Sequence, residues 1–225
     1  MSNTPSPFYS SSGKWYRRPN GHVVPSAGSI CTAISRESFD HVGIQTLERA
    51  ILHGEGAHEV ACNFSLYRLG HYRQIQALPP MPAECPLTTP AQWDVAMTHA
   101  LKQVEALFDK YEVEPIAVEE PSICSTYGFG GQPDIKLDMT WKKKRERTVW
   151  DYKRVAALSL SHLLKIECYR MLDGYKDCKR GFIAWLRKDD DAQLKEIKPN
   201  AAYHAAICGQ AAVMNLQISE RILRP

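Results

Sequence analysis

Asp151 and Lys153 stand two residues apart in Thr148 to Lys153, a segment whose alternating pattern predicts a β-strand. Side chains of a strand alternate faces, so Asp151 and Lys153 point one way while Trp150 and Tyr152 point the other. A second alternating run, Ile135 to Trp141, starts directly after Pro133-Asp134 and is joined to the first by a basic turn, Lys142 to Arg147. Antiparallel pairing of the two runs brings their open ends together, and Asp134 then meets Asp151 and Lys153. Two carboxylates and an ammonium at one spot suit a hard divalent ion, Mg²⁺ or Mn²⁺, which accepts phosphate oxygens as further ligands. Such an ion acidifies a bound water and stabilises charge on a phosphate, and a neighbouring lysine orients that water. Phosphodiester hydrolysis is the chemistry this implies. Taken alone, Asp151 and Lys153 fit equally well an exposed cross-face charge pair, and Asp134 a turn residue after proline.

The rest of the chain must hold these residues in place. Residues 1–13 are rich in Ser and Pro and read as a flexible arm, leaving residues 14–225 as one domain. Lys14 to Arg18 and His22 to Pro25 flank Pro19-Asn20-Gly21, a hairpin signal. A helical pattern runs from Ser35 to Arg68 and is interrupted at His53-Gly54-Glu55-Gly56, which predicts one helix ending near His53 and another beginning near Gly54. Thr89-Pro90-Ala91-Gln92 combines a capping box with proline at the first helical position, followed by Trp93, Met97, Leu101, Val104, Phe108 and Tyr111 at helical spacing. A strand at Pro115 to Glu120, a helix from Ala157 to Leu172, strands near Gly181 to Arg187 and Leu194 to Ile197, and a final helix from Ala201 complete a mixed α/β order.

Composition limits the setting. The chain has 225 residues, 44% of them hydrophobic, and a formal charge of +3. That content supports a core, while the mild charge does not by itself demand a polyanion partner. Lys142, Lys143, Lys144, Arg145 and Arg147 concentrate positive charge, either as a solvated hairpin tip or as a grip on a nucleic-acid backbone. Seven scattered cysteines without a C-x-x-C pair argue against a disulfide framework or zinc knuckle. No apolar run is long enough for a membrane span and Met1 opens no leader, so the expected location is the cytoplasm or nucleoid of a bacterial host cell.

The order of Gly54-x-x-x-His58, Gly131-Gln132-Pro133-Asp134 and Trp150-Asp151-Tyr152-Lys153 resembles the RecB-like branch of the PD-(D/E)xK nuclease superfamily, which includes the mitochondrial genome-maintenance exonuclease. The likeness runs from Trp15 to about Ile218. Its front end, Trp15 to Ile34, is similar to the family's aromatic hairpin and Pro-Ser-Val-Thr-like helix start, with Ala27 and Gly28 where Val and Thr are usual. The resemblance implies a restriction-endonuclease-like core, a mixed sheet flanked by helices. It implies a Mg²⁺- or Mn²⁺-dependent deoxyribonuclease, here an exonuclease acting on single- or double-stranded DNA, with partner proteins of a phage recombination system. A non-catalytic nucleic-acid-binding module that keeps the fold is the alternative. Carried over by residue, the resemblance makes Asp134, Asp151 and Lys153 catalytic, and His58, Asp134, Asp151 and the Tyr152 carbonyl metal ligands. Glu119 becomes an accessory acid, with Glu120 competing for that role, and Tyr169 an accessory of the following helix. Two positions depart from the family pattern: Arg154 replaces a small hydroxylated residue, and Lys165 stands where a glutamine precedes Tyr169. Together with Lys142, Lys143, Lys144 and Arg145 they are candidate nucleic-acid contacts. No iron–sulfur cluster is expected, because the late cysteines Cys168, Cys178 and Cys208 are widely spaced. Ligation by His58 requires its helix to pack against the sheet face bearing Asp151, and Asp151→Ala is expected to relieve carboxylate repulsion and leave the fold intact.

Overall fold

A computed structural model of the chain describes residues 7–10, 13–18, 20–35 and 42–220. Its centre is a five-stranded mixed sheet in the order β10-β9-β8-β7-β4, built from β4 (Glu114–Val118), β7 (Ile135–Trp141), β8 (Lys144–Lys153), β9 (Arg180–Trp185) and β10 (Gln193–Ile197). Smaller sheets are β1 (Pro7–Ser10), β2 (Gly13–Arg17) and β3 (Val23–Pro25), and the hairpin of β5 (Ser122–Cys124) with β6 (Phe129–Gly131). The helices are α1 (Ala27–Ser35), α2 (Ile44–Arg68), α3 (Pro90–Lys110), α4 (Leu160–Met171) and α5 (Ala201–Ser219).

The expected hairpin is β7 against β8, antiparallel from Ile135↔Trp150 to Trp141↔Lys144. Its turn is shorter than the sequence suggests. Only Lys142 and Lys143 form it, both at positive φ (50° and 66°), the backbone that a two-residue hairpin turn needs to follow the strand twist. Arg145 and Arg147 therefore lie in the strand, where Arg145 pairs with Glu114 (2.6 Å) and Arg147 with Asp138 (2.9 Å) and Asp177 (3.0 Å). β8 continues parallel to β9, with α4 as the connection between them.

The sheet divides two apolar cores. One face carries Ile135, Leu137, Trp150, Tyr152 and Phe182 against α2 and α3; the other carries Val149 and Ile183 against α1, α4 and α5. On α3, Thr89 and Gln92 form the expected capping box, with Pro90 in the first turn. Two expectations are corrected. Part of the expected arm, Pro7–Ser10, pairs antiparallel with β2; residues 1–6 lie outside the described residues. The helix break at Gly54 is absent, since α2 runs unbroken through His53-Gly54-Glu55-Gly56. Packing explains that continuity: a Cβ on Gly56 would meet the Trp93 ring at 2.7 Å and Met97 Sδ at 2.9 Å, so glycine lets α2 lie close on α3.

Candidate metal centre

Asp134 sits one residue before β7, where the ladder runs out. Beyond Ile135↔Trp150 the next rung would set Asp134 opposite Asp151, but the chain bends at Asp134 and the pairing stops. The Asp134 side chain supplies the missing acceptor: Oδ2 takes the Tyr152 N–H at 2.6 Å. Oδ1 is left facing His58 Nε2 at 3.2 Å. Burial alone would raise the Asp134 carboxyl, yet the opposing charges of His58, Lys153 and Lys165 outweigh it and hold the group well below the usual carboxylate range. His58 shows the reciprocal effect, since burial disfavours its charge but Asp134 and then Glu119 raise its affinity for a proton above the ordinary value.

Asp151 is fully buried on β8. Lys153 and Lys165 both form ion pairs with it, Lys165 Nζ at 3.1 Å from Oδ1, yet neither carboxylate oxygen accepts a hydrogen bond of good geometry. Lys153 Nζ also donates to the Tyr152 carbonyl at 3.0 Å. Lys165 arrives from α4, and Tyr169, four residues on, donates its hydroxyl to the Gln132 carbonyl at 3.0 Å beside the Pro133-Asp134 turn. Burial opposes the Lys165 charge, but Asp151 holds its proton affinity well above the normal value.

Glu119 approaches from the end of β4. Its backbone adopts φ +49°, unusual for a residue with a side chain, and its N–H bonds the Asp134 carbonyl at 3.0 Å. Its carboxylate lies 4.0 Å from His58 Nε2. The neighbouring Glu120 is exposed, and its carbonyl accepts the Tyr175 hydroxyl at 2.8 Å. Of the two acids, Glu119 is the one at the centre.

The expected cluster of Asp134, Asp151, Lys153, His58 and Glu119 thus converges at the open end of the β7–β8 hairpin. The route taken by His58 differs from the expected one. Its helix packs on the Trp150 and Tyr152 face, where Ser65 Oγ meets the Tyr152 hydroxyl at 2.9 Å, and not on the Asp151 face. His58 reaches the carboxylates around the strand end, because Asp134 lies where no further strand intervenes. The expectation for Asp151 also changes. Two ammoniums flank that carboxylate, so its removal strands positive charge and does not relieve negative charge.

The proposed nucleic-acid contacts are scattered. Lys142, Lys143 and Lys144 are exposed at the hairpin tip, six rungs from Ile135↔Trp150, about 20 Å at the usual rise per residue. Arg154 follows β8 with its Nη1 buried and without a hydrogen bond; burial lowers its pKa, and Asp189 partly restores it. Only Lys165 joins the centre. Sequence reasoning missed Cys62, which is buried one helical turn after His58 with Sγ 3.6 Å from its Nε2. The i, i+4 spacing on one helix was the available signal.

No family model and no curated protein matches the chain. The crystal structure of SSO0001 is 14% identical, covering 72% of this chain and 74% of that one, with a TM-score of 0.34. That likeness is too distant to bear on fold or function. No described helix is long and apolar enough to cross a membrane.

Proposed function

We propose that this chain is a Mg²⁺- or Mn²⁺-dependent deoxyribonuclease of the RecB-like PD-(D/E)xK type, an exonuclease acting on phage or mobile-element DNA in recombination, repair or degradation. The observation that carries this reading is the meeting of the buried carboxylates Asp134 and Asp151 with Lys153 and His58 at one end of the β7–β8 hairpin. Oxygen and imidazole donors grouped in this way suit a divalent ion with a lysine beside its water. Asp134, Asp151, His58 and the Tyr152 carbonyl would hold the ion. When bound, it supplies a more acidic water and charge stabilisation on the scissile phosphate.

The other roles belong to the protein. Asp134, tied to the Tyr152 N–H, is fixed in direction by the sheet, which holds ligands to closer tolerance than a loop. Lys153, bound to Asp151 and to the Tyr152 carbonyl, is within reach to orient the attacking water. Lys165, with a side chain 29% exposed, can leave Asp151 for a phosphate oxygen when the strand enters. Glu119 is the exposed acid at the rim, suited to accept a proton or to hold a hydrated ion.

One observation favours the non-catalytic binding module instead: Lys165 already ion-pairs with the carboxylate that the metal needs. End-labelled single- and double-stranded DNA incubated with Mg²⁺, Mn²⁺ or chelator separates the two. Metal-dependent product ladders that vanish in Asp151→Asn support the nuclease; retained DNA binding without cleavage in any metal supports the module.

A further inference from the structure

We infer that His58, Cys62 and Glu119 form a capture site for a thiophilic divalent ion, Zn²⁺ being the type, which competes with Mg²⁺ or Mn²⁺ for the shared His58. The inference rests on the metal-centre reading above and adds a sulfur ligand to it. A ring nitrogen of His58, the Cys62 sulfur and a Glu119 oxygen all lie within 4.8 Å of one another. With zinc bonds of about 2.0–2.2 Å to nitrogen and oxygen and about 2.3 Å to sulfur, a tetrahedron separates N from S by about 3.6 Å and N from O by about 3.4 Å. His58 Nε2 lies 3.6 Å from Cys62 Sγ and 4.0 Å from Glu119 Oε1. The N–S edge needs no adjustment, and the N–O edge to Glu119 must close by about 0.6 Å.

The placement of the three side chains favours capture. His58 and Cys62 are fixed on successive turns of α2, with Cys62 packed in the core. Glu119 is open to solvent at 44% of its side chain, which provides both an entry path and freedom to close on an ion. Hard ions gain little from sulfur, whereas Zn²⁺ gains most from the ligand that Mg²⁺ ignores. His58 cannot serve both ions at once, so the thiophilic ion draws it away from Asp134.

The test titrates the metal-free full chain with Co²⁺, a spectroscopic stand-in for Zn²⁺. A near-ultraviolet thiolate-to-cobalt charge-transfer band saturating at one equivalent and bleached by Zn²⁺ is expected. Cys62→Ser should remove the band and weaken Zn²⁺ binding on the order of a hundredfold, whereas Cys85→Ser, a buried thiol elsewhere in the core, should keep both. No band in the wild type, or a band that survives Cys62→Ser, overturns the inference. If Cys62→Ser fails to fold, Glu119→Gln at its exposed position should keep the band and weaken Zn²⁺ binding about tenfold; unchanged affinity there also overturns it. The readout is metal capture alone, so a missing band leaves the nuclease reading standing, and a protein that never cleaves DNA can still show the band.

Discussion

Asp151 has the most to lose from substitution, for two separable reasons. As a ligand in the proposed nuclease, its loss should abolish metal-dependent cleavage. As a buried anion between Lys153 and Lys165, its loss leaves two ammoniums facing each other. Breaking a fully buried pair costs about 3–5 kcal/mol, and because Lys153 is 16% and Lys165 29% exposed, part of that is returned by solvent. Asp151→Asn should therefore destabilise the metal-free protein by about 1–3 kcal/mol in denaturant titration, and adding Lys165→Met should recover part of the loss. Equal or greater stability of Asp151→Asn alone would mean that the lysines do not rely on this carboxylate.

His58 links the centre to pH in two opposite directions. In the metal-free protein its folded pKa is raised by Asp134 and Glu119 against the effects of burial and Lys153, so its contribution is complete below the unfolded value, about 6.5, and is lost as pH rises through the folded value. Asp134, with a lowered folded pKa, contributes above the unfolded value of about 3.9 and loses that contribution as pH falls through its own. The pair is thus strongest between those two unfolded values, and the Tm gap between wild type and His58→Ala should be wider near pH 6 than at alkaline pH. Metal binding runs the other way. An imidazolium cannot ligate, so Mn²⁺ affinity measured by calorimetry should climb as pH passes upward through the His58 value. A Tm gap independent of pH would remove the His58–Asp134 ion pair from this account.

At the scale of elements, α2 decides whether His58 arrives. Gly56 sits two residues before His58 with the Trp93 ring in the space of its missing Cβ, whereas Gly54 has nothing within 4 Å there. Gly54→Ala should stabilise by up to about 1 kcal/mol through helix propensity. Gly56→Ala forfeits that gain to overpacking of about 1–3 kcal/mol, and the resulting shift of α2 should lower metal affinity as well as Tm. The contrast also shows what was legible in the sequence. Alternation predicted β7 and the later half of β8, because strand periodicity is local, whereas the two-residue turn and the earlier half of β8 were not read. The capping box at Thr89 marked the start of α3 for the same reason. Glycines in a helical pattern read locally as a break; the Trp93 contact that makes Gly56 useful lies 37 residues along the chain. The face on which α2 packs was equally hidden, since it depends on β7 ending at Ile135 so that His58 can pass round it. The Lys165–Asp151 pair depended on the same non-local packing.

At the scale of the molecule, the centre and the exposed lysine tip occupy opposite ends of one hairpin, and under the proposed function their separation becomes a length along DNA. Six rungs of antiparallel ladder are about 20 Å, close to six base pairs of duplex. A substrate much shorter than that cannot touch both ends, while a longer one can lie along β7–β8 with its terminus at Asp134 and Asp151. Charge can be removed from the tip without harming it. Lys142 and Lys143 both occupy positive φ, where Asn and Gly are the favoured pair, so Lys142→Asn with Lys143→Gly should keep the hairpin and raise Tm slightly. On long duplex DNA this double variant should bind more weakly, and its slope of log K against log salt should be shallower by about 1.8, the value for two lost phosphate contacts. On oligonucleotides of about four nucleotides, too short to span the hairpin, binding should match the wild type. If both lengths weaken alike, the lysines act as a general field around the molecule; if neither changes, the tip is a solvated turn with no part in binding.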